Sequence, residues 1–315
     1  MIDPRTNRND FSDLCRIAAN ALGGDNPALL SVLEKDYWVT RVLCAIAEHH
    51  SDHVLFKGGT SLSKGLGLTQ RFSEDIDLAI DAGERGESSR DTLLKAVAQD
   101  VADSCSLDMA LRESGKGAHR TVAYAFDAIW AGGELIKPSV LLEMGTRSAL
   151  APASPRTLKT MLAAAVPSAD AELPSCTLLV LGADRTLVEK LFVIHGLVSR
   201  HLADPTSTAL NRIGRHYYDV SNLLDDAAVG ASIGTPAFWE MAGDHDERGA
   251  REFPGRHVGP TGLDFANSLG LFPTDELAAI LRQEYERDRV LFFGDAPSFD
   301  QVLASLLLVR ERLRK

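Results

Sequence analysis

The chain has 315 residues, a formal net charge of −11, 45% hydrophobic residues and 24% charged residues. This length predicts about two domains of ordinary size, and the composition is typical of a globular protein. The acidic balance disfavours a protein that coats nucleic acid over its whole surface, so we expect any nucleic-acid contact to be local.

The N-terminal part of the chain predicts a helical region, a strand, a glycine loop and a second strand. Residues 32–46 place apolar side chains close to a 3.6-residue period, which indicates a helix. Residues 54–56 form a short apolar run that suits a buried strand, and two glycines and a short helix follow. Apolar and polar residues alternate over 75–80, which predicts the second strand.

The remaining elements divide the chain near residue 183, into domains at 1–183 and 184–315. Before this boundary we predict a helix over 88–113, strands over 121–129, 139–144 and 177–181, and a short helix at 157–165 in an irregular stretch. After it we predict helices over 186–200, 208–224, 275–289 and 299–312, with an exposed loop over the polar, glycine-rich residues 242–264.

No apolar run approaches the roughly 20 residues that a membrane-spanning helix needs, and the N-terminus lacks the apolar core of a signal peptide. We therefore expect a cytoplasmic protein with no membrane partner. The four cysteines lie far apart and form no CxxC pair, which argues against a structural zinc site and a disulfide framework.

The glycine loop has the features of a phosphate site. Gly58 and Gly59 let the backbone approach an anion without a side chain in the way. The helix that follows offers free N–H groups and the positive end of its dipole, and Thr60, Ser61 and Ser63 add hydroxyl groups. The loop is not a Walker A motif, because the required G-x-x-x-x-G-K-[ST] spacing is absent.

The second strand carries a pair of aspartates, Asp75 and Asp77, whose side chains project from the same face because they are two residues apart. Such a pair repels itself unless a cation lies between the carboxylates, and Mg²⁺ prefers carboxylate and phosphate oxygens. Each motif alone is compatible with a helix cap and a solvent-facing strand. Together they favour metal-assisted transfer at phosphorus.

Three segments, EKDYWVTRVL at 34–43, FKGGTSLSK at 56–64 and RFSEDIDL at 71–78, closely resemble the AbiEii/AbiGii toxin family. LVEKLFVIHGLVSR at 187–200, RHYYDVSNLL at 215–224 and the C-terminal region resemble later segments of that family. The family contains toxins of type IV toxin–antitoxin and abortive-infection systems, within the DNA polymerase β-like nucleotidyltransferase superfamily. The resemblance implies an α/β (α+β) fold, with a small mixed sheet flanked by helices and a helical C-terminal domain that completes the active-site cleft.

The resemblance also implies roles for individual residues. Asp75 and Asp77 would bind two Mg²⁺ ions, and Glu143 is the best candidate for a third carboxylate. Lys190 resembles the family's catalytic lysine, and Asp219 resembles an aspartate that positions substrate or lysine. The nucleotide-binding candidates are Lys57, Gly58, Gly59, Thr60, Ser61 and Arg71.

Plainer interpretations of three of these residues remain open at this point. Glu143 would be a glutamate that faces water from an edge strand, since glutamate is mostly exposed. Lys190 would be a solvated lysine on a helix face, paired with a nearby acid. Asp219 would be an ordinary surface residue of a helix.

The reaction that the resemblance implies moves a nucleoside monophosphate from an NTP to a hydroxyl at the 3′ end of tRNA, which blocks translation. A cognate antitoxin is the implied partner, with or without direct binding. Arg200, His201, Arg212, Arg215 and His216, with the basic C-terminus, are candidates for a local RNA-binding face. The alternatives are transfer to a protein or small molecule, a non-catalytic NTP-binding module, and a phosphatase.

Overall fold

The computed structural model describes the chain except residues 1, 25, 74, 134 and 135. The chain forms two compact units. The first, here called the sheet unit, comprises Met1–Leu66 and Ser73–Val180, and the second, the helical unit, comprises Gly67–Phe72 and Leu181–Lys315. The short segment 67–72 therefore belongs with the C-terminal half, although it precedes the aspartate strand in the sequence.

The sheet unit alternates helices and strands. Its elements are α1 (Arg8–Leu22), α2 (Pro27–His50), β1 (Val54–Lys57), α3 (Gly58–Lys64), β2 (Asp75–Ile80), α4 (Glu87–Cys105), β3 (Asp108–Gly115), β4 (His119–Ala125), β5 (Ser139–Gly145), β6 (Ala153–Lys159), α5 (Met161–Ala165) and β7 (Ser175–Leu181). The predicted helical start, the glycine turn after β1 and the strand at β2 are all confirmed.

The strands of the described residues form one seven-stranded sheet in the order β3-β4-β5-β2-β1-β7-β6. The sheet is mixed: β2 runs antiparallel to β1 and parallel to β5, and β1 runs parallel to β7. β2 and β5 are therefore adjacent and central, so their side chains share one surface of the sheet.

The core of this unit lies on one face of the sheet, beneath α1, α2 and α4. Helix α2 begins at Pro27, after Asn26 accepts the N–H of Leu29 through its side chain, and buries Tyr37 and Trp38 along its length. Burial of each large apolar side chain contributes about 2–3 kcal/mol. Because the helices cover this face, the polar residues of β2 and β5 project from the opposite one.

The helical unit contains α6 (Ala183–Ala203), α7 (Gly214–Asp225), α8 (Ala227–Ser232), α9 (Pro236–Glu252), α10 (Asp275–Asp288) and α11 (Phe299–Val309). Helix α7 lies at the centre, since α6, α8, α10 and α11 all pack against it. The predicted fold class, a mixed α/β sheet with flanking helices and a helical C-terminal region, is confirmed. None of the helices that the structure describes combines the length and the apolar character needed to cross a membrane.

The predicted helix over 88–113 is wrong beyond Cys105. Ser106 adopts a left-handed conformation (φ 50°), and its N–H bonds back to the last turn of α4, which ends the helix. Residues 108–115 then pair with β4 as an antiparallel strand, although Leu, Arg and Glu favour helices. Pairing with a neighbouring strand outweighs local propensity here.

The predicted loop over 242–264 is wrong in its first half. Helix α9 starts at Pro236, with the Thr235 side chain accepting the N–H of Phe238, and runs to Glu252. One of the glycines that suggested a loop allows close packing: a Cβ on Gly249 would lie 2.3 Å from Nδ1 of His257. Gly249 inside this helix therefore marks a tight contact.

Two boundaries also differ from prediction. Residues 153–159 form β6, and the short helix begins only at Met161, after Thr160 caps the N–H of Ala163. The helix predicted over 208–224 begins at Gly214, since Arg212 is left-handed (φ 62°) and interrupts it.

Candidate active site

The glycine turn between β1 and α3 packs directly against an aspartate of β2. Gly58 has φ 79°, and a Cβ built on it would lie 2.0 Å from Oδ2 of Asp77. Lys57, the half-buried last residue of β1, pairs with Asp77 across the antiparallel ladder, which sets this contact. Glycine is therefore required at position 58 for both its backbone conformation and the lack of a side chain.

The hydroxyl groups of Thr60 and Ser61 hold the loop together. Both residues are buried. The Thr60 hydroxyl lies 2.7 Å from Oγ of Ser73 and donates to the carbonyl of Asp75, and Ser61 donates to the carbonyl of Gly58 at 2.9 Å. These contacts tie the loop to the start of the aspartate strand, while a phosphate contact by either residue stays a prediction.

Lys64, at the end of α3, is a further anchor that the sequence did not reveal. Its ammonium contacts Oδ1 of Asp36 at 2.6 Å, Oγ1 of Thr40 at 2.8 Å and the carbonyl of Lys159 at 2.9 Å. Oδ2 of Asp36 also accepts the N–H of Met161 at 2.6 Å. Lys64 thus links α3 to α2 and β6 through an almost fully buried side chain.

Three carboxylate residues lie on the face of the sheet opposite the core. Asp75 and Asp77 alternate with buried Ile76 and Leu78 on β2, and Glu143 is the register partner of Asp77 on β5. Glu143 is exposed, and it lies on a central strand of the sheet and not on an edge. The acidic side chains of adjacent strands therefore share one surface.

These residues fit Mg²⁺ in donor chemistry, because oxygen ligands from one or two carboxylates plus substrate phosphates are its usual environment. The sheet register places the carboxylates of β2 and β5 next to each other. The backbone at Gly58, which has no side chain, is where substrate phosphates would lie beside them. Within the part of the chain that the structure describes, however, no three His, Cys, Asp or Glu side chains are grouped closely enough to hold a metal on their own. The set fits a metal that substrate oxygens complete.

The helical unit contains a buried charge cluster around Asp219. Its carboxylate is completely buried, and it accepts hydrogen bonds from Arg71 (Nε to Oδ1 at 2.6 Å, Nη2 to Oδ2 at 2.9 Å). The Lys190 ammonium lies 2.9 Å from Oδ2 of the same carboxylate. The surface-residue interpretation of Asp219 and the solvated interpretation of Lys190 are therefore wrong.

Electrostatics keeps Asp219 ionised. Burial of the carboxyl raises its pKa, but the charges and hydrogen bonds of Arg71 and Lys190 outweigh this and hold the pKa of Asp219 well below its usual range. Arg71 and Lys190 therefore share one buried, ionised carboxylate.

His216 extends the cluster. Its Nδ1 lies 3.3 Å from the Lys190 ammonium. Desolvation of the ring, together with the charges of Lys190 and Arg215, lowers the pKa of His216 well below its ordinary value. A neutral ring accepts a hydrogen bond from the ammonium at Nδ1, so Lys190 is held between an imidazole and a carboxylate.

Arg71 belongs to a segment that the helical unit holds by its backbone. The N–H of Phe72 donates to the carbonyl of Leu291 at 2.7 Å, and the N–H of Phe293 donates to the carbonyl of Gln70 at 2.7 Å. Arg71 itself also donates to the Phe72 carbonyl. The predicted contact between Arg71 and a nucleotide stays a prediction; Asp219 and Phe72 are among its partners in the structure.

The predicted RNA-binding residues are engaged in different ways. Arg200 donates to the carbonyl of Arg256, and Nδ1 of His201 contacts the carbonyl of Thr208. Arg212 is exposed. The C-terminal cations also have local partners: Arg310 lies over the ring of Phe272, Arg312 donates to the carbonyl of Gly230, and Arg314 pairs with Glu311.

A model of the nucleotidyl transferase AbiEii toxin family, described as belonging to type IV toxin–antitoxin systems, matches residues 41–305. The chain belongs to the AbiEii nucleotidyltransferase toxin family. Membership implies nucleotidyltransferase activity, an NTP substrate and an antitoxin partner. A comparison with curated proteins finds none that matches.

The AbiEii match covers both the glycine turn with its aspartate strand and the helices that carry Lys190 and Asp219. These features were predicted from the sequence, but the pairing of Asp219 with Arg71 was not. A signal existed, since Lys190 and Asp219 both adjoin the apolar stripes of their helices, at Leu191 and Val220. A charged residue within such a stripe is expected to have a partner.

Proposed function

We propose that this AbiEii-family protein transfers a nucleoside monophosphate from an NTP to the 3′-terminal hydroxyl of tRNA, and so blocks translation. The observation that carries the proposal is the packing of Gly58 against Asp77, which joins a bare backbone turn to an acidic strand. A triphosphate at this turn lies beside carboxylates of the same charge, so a cation must join the two.

In this proposal Asp75 and Asp77 hold the metal, with Glu143 beside them on β5. Two Mg²⁺ ions, when bound, would activate the acceptor hydroxyl and neutralise charge on the transferring phosphate. The backbone of Gly58 and Gly59 receives the phosphates, and Lys57 remains a further candidate for nucleotide contact. Lys190 neutralises the triphosphate and the leaving pyrophosphate, with Asp219 as its positioning partner.

The tRNA acceptor is supported by the family's description as a toxin, because a toxin needs a target on which the cell depends. The 3′ end of tRNA is a free hydroxyl, and its blockage prevents aminoacylation. Both substrates are cytoplasmic, so we place the activity in that compartment. Exposed Arg212 is the candidate for a local phosphate contact that positions RNA without reading its sequence.

The test incubates the protein with Mg²⁺, each labelled NTP in turn, and total tRNA. A matched sample contains tRNA whose 3′-terminal ribose has been oxidised by periodate, which removes the acceptor hydroxyl. The proposal expects label on intact tRNA and none on oxidised tRNA. Label on protein or on a small molecule, with tRNA unlabelled, would replace the tRNA acceptor; NTP binding without any transfer would favour a non-catalytic binding module.

A further inference from the structure

We infer that Arg71 is a positioning residue that acts through Asp219 to fix the ammonium of Lys190. The inference rests on the proposed function, since it concerns the lysine to which that function gives the charge-neutralising role. It replaces the direct nucleotide contact that the sequence suggests for Arg71.

The ion pair of Arg71 and Asp219 has a geometry that fixes the carboxylate. Nε and Nη2 of Arg71 meet the two oxygens of Asp219 separately, at 2.6 and 2.9 Å, which is the fork-to-fork arrangement of a guanidinium and a carboxylate. This arrangement fixes the plane of the carboxylate. Oδ2, the oxygen shared with the Lys190 ammonium, therefore has one position.

The backbone of Arg71 is itself held in place by its neighbours. It forms an antiparallel bridge with Phe292, and backbone hydrogen bonds lie on both sides of that bridge. The ring of Phe292 stacks on Tyr218 with centroids 4.2 Å apart, and the Tyr218 hydroxyl bonds to the carbonyl of Gln70. Tyr218, the neighbour of Asp219 on α7, is therefore hydrogen-bonded to Gln70, the neighbour of Arg71.

The three charged side chains of the cluster are all buried. Arg71 is 5% exposed, Lys190 8% and Asp219 0%, so solvent hardly weakens their interaction. Loss of Arg71 leaves Asp219 with a single cation and a carboxylate free to rotate. The Lys190 ammonium then keeps its charge but loses its fixed position, and misplacement of a catalytic group by about 1 Å can reduce a rate by about 10²-fold.

The experiment is a double-mutant cycle of Arg71→Met and Asp219→Asn. The double variant leaves no unpaired charge on Asp219. For each protein, kcat, the KM for NTP, and the Kd of a non-hydrolysable NTP analogue are measured, with Arg85→Met as a control arginine outside the cluster. If Arg71 acts only through Asp219, each single variant loses about 10²-fold in kcat, and Arg71→Met changes the Asp219→Asn protein by no more than about twofold.

A direct nucleotide contact gives a different result. Arg71→Met would then weaken analogue binding by about tenfold or more, also in the Asp219→Asn background, because a charged hydrogen bond to phosphate is lost. That outcome overturns the inference. Arg71→Lys serves if Arg71→Met does not fold: it keeps the charge without the fork, so we expect reduced kcat with unchanged analogue binding.

Failure of the proposed function and failure of the inference about Arg71 give different results. If the wild-type protein transfers no nucleotide to any acceptor, the proposed function fails. The analogue titrations still decide the inference, because equal Kd values for Asp219→Asn with and without Arg71→Met support it and a further loss of about tenfold contradicts it.

Discussion

The Arg71 guanidinium donates two hydrogen bonds to the Asp219 carboxylate, from a position 148 residues earlier in the chain. The two residues come from different sequence motifs, one before the aspartate strand and one in a late helix. Their pairing makes the segment 67–72 part of the helical unit. The stability of that unit should therefore depend on this ion pair.

Asp219→Asn is expected to destabilise the helical unit by about 3–5 kcal/mol at pH 7, because it removes a buried charge that pairs with both Arg71 and Lys190. Ionised Asp219 has a pKa below its unfolded value, so its contribution is fully present above about pH 3.9 and is lost as the pH falls further. Denaturant unfolding at pH 7 and near pH 3.5 measures both effects.

Asp225→Asn is the matched control, since Asp225 is exposed at the end of the same helix. We expect it to change the unfolding free energy by no more than about 0.5 kcal/mol. Equal effects of the two substitutions would contradict the account of the buried cluster.

His216 should make stability depend on pH in the weakly acidic range. Its folded pKa is depressed, so between about pH 6.5 and that lower value the unfolded chain binds a proton that the folded protein does not. The unfolding free energy therefore falls as the pH falls from 7 to 5.5. His195, whose pKa is also lowered by burial, adds to this slope.

His216→Gln should remove its share of that slope, up to about 1.4 kcal/mol per pH unit. The measurement is the unfolding free energy of both proteins at several pH values from 5.5 to 7.5. An identical slope in the two proteins would mean that His216 is not a neutral, buried partner of Lys190.

Gly58→Ala should abolish nucleotide transfer. The left-handed conformation costs alanine about 1–2 kcal/mol, and the added methyl group would displace Asp77, because its carbon would lie 2.0 Å from Oδ2 of that residue. Gly67→Ala is the matched control: Gly67 has a similar φ of 66°, with nothing within 4 Å of its Cβ position. Transfer rates and melting temperatures are measured for both variants. Gly67→Ala reports the backbone strain alone, so the additional loss in Gly58→Ala reports the clash with Asp77.

Lys64→Met should destabilise the sheet unit by about 3–5 kcal/mol, because Asp36, whose side chain is only 12% exposed, would lose its cation. Lys95→Met is the control, since Lys95 forms an exposed pair with Asp91 one helical turn away, and such pairs contribute about 0.5 kcal/mol. Chemical denaturation compares the two. Equal losses would show that the contacts of Lys64 add nothing.

The sequence was sufficient for the local part of the site and insufficient for its distant contacts. The glycine turn and the alternation in β2 are local patterns, so the strand, turn, helix and aspartate face were predictable. The pairing of Asp219 with Arg71 depends on how helices pack, which no local pattern encodes. Helix α9 was missed for a related reason, because Gly249 serves a contact with His257 that only the folded chain reveals.

The central claim is that Asp77 and its neighbours catalyse nucleotide transfer. The most direct measurement compares transfer of label from α-phosphate-labelled NTP to tRNA by the wild-type protein, Asp77→Asn and Asp81→Asn in Mg²⁺, where Asp81 is exposed just beyond the same strand. The account predicts that Asp77→Asn loses all detectable transfer while Asp81→Asn retains the wild-type rate. Undiminished transfer by Asp77→Asn would contradict it.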